Sequence, residues 1–75
     1  MSGHDEPEVN EQTRPEEAIE LAMEREQRAR DFYLKCAGIV KDPGVKKMFE
    51  FLANEEGRHR DLLEKEYDRF IAGEN

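Results

Sequence analysis

Glu56 and His59 stand three positions apart. On a helix that spacing puts a carboxylate and an imidazole on one face, one turn apart. Such a pair suits a metal ion, because an oxygen and a nitrogen donor can approach the same ion together. Glu26 offers a third donor from a separate stretch of chain. Carboxylate oxygens combined with imidazole favour iron or manganese over metals that seek thiolates. If these carboxylates are buried, something must neutralise them, since an isolated buried carboxylate is expensive. A proton, an arginine or a metal would serve. Tyr33, seven positions after Glu26, either hydrogen-bonds a ligand carboxylate or is a core tyrosine satisfied elsewhere. Cys36 is the one cysteine and reads as a small core residue.

Two helices are needed to bring these groups together. Thr13-Arg14-Pro15-Glu16 has the form of a capping box, S/T-x-x-E, which places Thr13 at the cap. Pro15 is tolerated in a first turn, and Glu16 and Glu17 suit the positive end of the helix dipole. Good helix formers follow, with Gly38 a weak point near the end. Lys41-Asp42-Pro43-Gly44 breaks the pattern, because Pro43 disfavours the helical region for Asp42. Asp42 can then cap a second helix with Pro43 at its first position, and Gly73 can stop it. The spacing predicts a helix over about 14–40, a turn at 41–43 and a helix over about 43–72. A connection this short makes the helices antiparallel neighbours. Residues 1–12 carry four acids and one large aliphatic residue and read as a mobile acidic tail. His4 in that tail reads as incidental.

The apolar spacing places the chemistry. In the first helix a seam runs Ile19, Ala22, Glu26, Ala29, Tyr33, Cys36, Val40, in alternating steps of three and four. In the second it runs Phe49, Leu52, Glu56, His59, Leu63, then Glu66 or Tyr67, and Phe70. Alternating steps of this kind belong to helices packed in a left-handed bundle. Glu26, Glu56 and His59 lie roughly 22, 20 and 24 Å from the hairpin tip at 1.5 Å per residue. Three ionisable groups therefore meet at one height inside an apolar seam. Glu55 is also spaced to share an ion with His59. It belongs instead to a neighbouring stripe with Met48, Phe51 and Leu62, so Glu56 is preferred. Glu55 then serves beside the site or at a contact between dimers. Leu21, Phe32 and Ile39 form a matching second stripe, which either widens a dimer core or supports a higher oligomer. Arg25, Arg28, Arg30, Arg58 and Arg60 read as a solvated face pairing with nearby acids.

Size makes assembly a requirement. The chain has 75 residues, 36% hydrophobic and 41% charged, and a core this small needs a disulfide, a metal or a partner. One cysteine rules out an internal disulfide and fits a reducing compartment. A net charge of −7 disfavours nucleic acid and anionic membranes, and is compatible with attracting cations. No secretory signal is visible, and no apolar run approaches the roughly 20 residues that span a bilayer. The expected location is the cytoplasm.

Glu26-Gln-Arg-Ala-Arg-Asp-Phe-Tyr33 resembles the first-helix motif of rubrerythrin, and Glu55-Glu56-Gly-Arg-His59 resembles that family's Glu-x-x-His on the next helix. The turn Lys41-Asp42-Pro43 is similar too, and the resemblance covers about residues 15–72. It implies Glu26 and His59 as terminal iron ligands, Glu56 as a bridging ligand and Tyr33 as a hydrogen-bond partner beside the site. It also implies two irons per dimer, with manganese or zinc as substitutes, and reaction with dioxygen or peroxide. Ferritin-like di-iron bundles take a Glu from each of two helices and a Glu-x-x-His from each of two others; this chain carries half of that set.

The chain departs from the family in two ways. One cysteine cannot build the four-cysteine centre through which rubrerythrin receives electrons. Two helices replace four, which makes the chain similar to the short encapsulated ferritins. Those complete the iron site between subunits and store iron inside an encapsulin shell. Residues 68–75 show no clear shell-docking peptide, so a shell partner and an encapsulin compartment rest on the resemblance alone. The expected fold is all-α, an antiparallel two-helix hairpin that dimerises into a ferritin-like four-helix bundle. The expected activity is that of a ferroxidase in iron storage or detoxification. The competing expectations are a metal-stabilised structural or sensory module, rubrerythrin-like peroxide reduction, and a metal-free interaction hairpin.

Overall fold

Pro43 decides the topology. It forces Asp42 into extended backbone and so ends one helix and starts another within a few residues. In the computed structural model, which describes residues 9–72, α1 runs Pro15–Ile39 and α2 runs Pro43–Ile71. They pack along their length as an antiparallel all-α hairpin, and no strand occurs among the described residues. Residues 1–8, with His4, and the proposed stop at Gly73 lie outside the described residues. None of the described helices is long and apolar enough to cross a membrane.

The start of α1 differs from the expected capping box by one residue. Arg14, not Thr13, is the N-cap. Pro15 is the reason: the residue before proline is pushed to extended backbone, and Arg14 has φ −76° and ψ 151°. Glu17 then reaches back, its Oε1 accepting from the Arg14 amide at 3.1 Å. Arginine has no acceptor to offer in return, so only this half of the box forms. The Thr13 hydroxyl is used in the preceding turn, where it accepts from the Asn10 amide at 2.9 Å. The second cap forms as expected, with Asp42 Oδ1 accepting from the Val45 amide at 2.9 Å. Lys46, one turn into α2, donates to the Ala37 carbonyl at 2.8 Å. It satisfies a carbonyl at the end of α1 and puts a positive charge at the negative end of that helix dipole.

The two helices meet over small residues. Ala37 and Ala53, the buried hydrophobic residues among the described residues, let the backbones approach closely. Tyr33 stacks on Phe49 at 6.1 Å between ring centroids and meets Phe32 edge-on at 5.8 Å. Larger side chains remain outside: Phe32, Ile39, Phe51 and Leu62 are each more than half exposed. With a shortest dimension of 13 Å, the hairpin is one helix layer thick. A stable core takes at least two packed layers.

Candidate metal centre

α1 presents Glu26 and α2 presents Glu56 and His59. The hairpin brings one donor atom from each to within 4.8 Å of the others. His59 Nδ1 stands 3.5 Å from Glu26 Oε1 and 3.5 Å from Glu56 Oε1. The two carboxylates are largely covered, with side chains 26% and 18% exposed, while the imidazole is 52% exposed. The seam therefore does bring its three polar members to one level.

Glu26 Oε1 is out of contact with solvent and accepts no hydrogen bond among the described residues. At 3.5 Å the imidazole is close enough for an ion pair if protonated, but too long for a good hydrogen bond. A buried carboxylate oxygen without a partner is costly. It faces a second carboxylate and an imidazole nitrogen, which is the donor set a divalent cation would satisfy. The residues present therefore fit a metal of the iron or manganese class. The cluster opens onto a groove of about 290 Å³ lined by Ala22, Arg25, Glu26, Ala29 and Glu56. The two alanines keep bulk away from the carboxylates on that side.

Glu55 takes another direction. Its Oε2 stands 3.8 Å from Arg58 Nη1, one turn along the same helix. Tyr33 is not part of the cluster within one hairpin. It sits two turns from Glu26 against Phe49, and its hydroxyl makes no hydrogen bond among the described residues. Of the four expected site residues, the fold assembles three and places the fourth nearer the turn. The arginines differ from one another. Arg58 approaches Glu55, and Arg60 Nη1 approaches Glu64 at 3.9 Å. Arg30 instead lies over Gly57, with no acid partner among the described residues.

A contact between Tyr67 and Glu20 escaped the sequence reading. The Tyr67 hydroxyl donates to Glu20 Oε2 at 2.5 Å, tying α2 to α1 beyond the cluster. The carboxylate that accepts this proton holds the phenol above its ordinary value of 10.0, helped by partial desolvation and by the charges of Glu16 and Asp68. The available signal was the choice between Glu66 and Tyr67 as the next seam position. Tyr67 faces α1, and Glu66 pairs with Arg69 at 2.7 Å.

No curated protein and no solved structure matches this chain. The sequence model of one family, Rubrerythrin, matches residues 5–75. That span covers both helices and all three clustered donors. The chain belongs to the rubrerythrin family of ferritin-like proteins, whose members typically bind iron.

Proposed function

We propose that two copies of this hairpin pair face to face, share a di-iron site, and oxidise Fe(II) with dioxygen in iron storage or detoxification. The observation that carries the reading is the orphaned, solvent-excluded Glu26 Oε1 beside Glu56 and His59. One copy supplies two carboxylates and one imidazole; two copies supply four and two. Four carboxylate charges balance two divalent cations, and pairing lets each ion draw donors from both copies. Pairing also adds the second layer that a hairpin 13 Å thick lacks.

In this reading Fe(II) is the substrate. Bound iron would supply Lewis acidity and one electron per ion. Two Fe(II) ions give two electrons to dioxygen, which takes two protons and leaves as hydrogen peroxide. Glu26 and Glu56 provide hard oxygen donors that favour the ferric product. His59 Nδ1 provides the nitrogen donor, and its exposed ring gives ions a route in. The resemblance to short encapsulated ferritins extends the proposal to a shell of encapsulin in the cytoplasm, which copurification from co-expressing cells would test.

A second reading is a metal-stabilised structural or sensory module. The thin core, with only Ala37 and Ala53 as buried hydrophobic residues among the described residues, favours it. The two readings separate when Fe(II) is added in air. A ferroxidase raises the ferric absorbance faster than buffer does, binds one iron per chain before air, and loses both properties in Glu56→Ala. Tight metal binding with no acceleration would leave only the structural module.

A further inference from the structure

The hairpin has a second groove whose chemistry is opposite to that of the carboxylate cluster. Arg30, Arg58, Arg60, Gln27 and Asn54 line an open depression of about 300 Å³, completed by Gly57 and Asp61. It shares no residue with the groove beside Glu26 and Glu56. Gln27 follows Glu26, and Arg58 and Arg60 bracket His59. Successive helical residues point about 100° apart, so these neighbours leave the donor face.

The groove is short of negative charge. Its lining holds three guanidinium groups and one carboxylate, Asp61, in a chain whose net charge is −7. Arg30 has no hydrogen bond or ion pair among the described residues. Its side chain lies across Gly57, where an added Cβ would stand 3.7 Å from Arg30 Nε. Arg60 Nε is out of contact with solvent and donates to no acceptor among the described residues. The ion pairs that the other two arginines make outside the groove are stretched, Arg60 to Glu64 at 3.9 Å and Arg58 to Glu55 at 3.8 Å. Gln27 already donates to Asp31 at 3.0 Å. Asn54 has no side-chain partner among the described residues. Arg60 is the partly covered member, its side chain 38% exposed, and the cost of a donor without an acceptor falls on it, while Arg30 and Arg58 stand exposed at the rim. Their planar forks match the oxygens of a tetrahedral oxyanion.

We propose that this groove binds a small free oxyanion of the phosphate class, held by Arg30 and Arg60 with Arg58 and Asn54 at its edge. The repulsion of long polyanions by the acidic chain favours a free ion over a phosphate carried on nucleic acid.

The test titrates the full chain with inorganic phosphate, and separately with chloride at equal ionic strength and pH. The readouts are the amide and arginine Nε–H resonances of the groove. Phosphate produces a saturable shift at Arg30, Asn54 and Gly57 that chloride does not. Arg30→Gln with Arg60→Gln weakens binding by roughly tenfold or more. Lys35→Gln with Lys47→Gln, a loss of equal charge elsewhere, leaves it unchanged. Equal responses to phosphate and chloride overturn the proposal, and so does equal weakening by the lysine pair. Tighter binding of a short single-stranded oligonucleotide overturns the assignment to a free ion. Glu56→Ala separates this site from the iron reading: phosphate binding persists there, and its loss would overturn the claim that the groove acts independently of the carboxylate cluster.

Discussion

At the scale of single residues, direction matters more than type. Glu55 and Glu56 are chemically identical and adjacent, yet one faces Arg58 and the other faces Glu26 and His59. Glu55→Ala is therefore expected to leave iron binding and the rate of Fe(II) oxidation near wild type, while Glu56→Ala removes both; metal counting and ferric absorbance on the two proteins check this. Tyr67 has a consequence for pH. Its folded-state proton is held more tightly than in the unfolded chain, because Glu20 accepts it. The stabilisation is fully present below the ordinary value of 10.0 and is lost as pH rises through the higher folded value. Melting temperature should fall in that alkaline window, and Tyr67→Phe should remove that part of the fall. An identical alkaline slope in both proteins would show that the Glu20 contact carries no linkage.

The elements owe their limits to a few capping groups. Asp42 holds the first turn of α2 by accepting from Val45. Asp42→Ala should cost about 1 kcal/mol, read as a lower midpoint in urea with an unchanged slope. Gly57 has the opposite effect, since a glycine in mid-helix weakens it by about 1 kcal/mol relative to alanine. Its surroundings would accept a Cβ, the nearest atom being Arg30 Nε at 3.7 Å. Gly57→Ala should therefore stabilise the protein by about 0.4–1 kcal/mol. Destabilisation would mean that the space over Gly57 is needed by Arg30 or by what Arg30 holds.

For the whole molecule, the deciding quantity is thickness. A single layer with a 13 Å short dimension leaves Phe32, Ile39, Phe51 and Leu62 outside, and hydrophobic burial is the main favourable contribution to folding. If a second copy covers the seam, melting temperature rises with protein concentration and with metal. Leu52 lies on that seam in α2, one turn before Glu56. Leu52→Arg should reduce the native mass to that of one chain and remove iron binding. A dimeric mass that survives this change would move the interface to another face.

Much of the architecture is written in local chemistry. Pro43 and Asp42 specify the break and the cap because proline restricts its neighbour and aspartate bonds to nearby amides. Glu26, Glu56 and His59 were legible as a level trio because two helices joined by a short turn have a fixed rise per residue. Choosing Glu56 over Glu55 needed only the seam. The cap at Arg14 was missed because the capping-box pattern points to Thr13, whereas Pro15 acts on the residue directly before it. What only the tertiary structure decided depends on side-chain direction across the interface. It left Glu26 Oε1 buried without a partner and joined Tyr67 to Glu20. It also left Arg30 and Arg60 short of acids, although the sequence holds more acids than bases. Composition counts charges; packing determines which of them can meet.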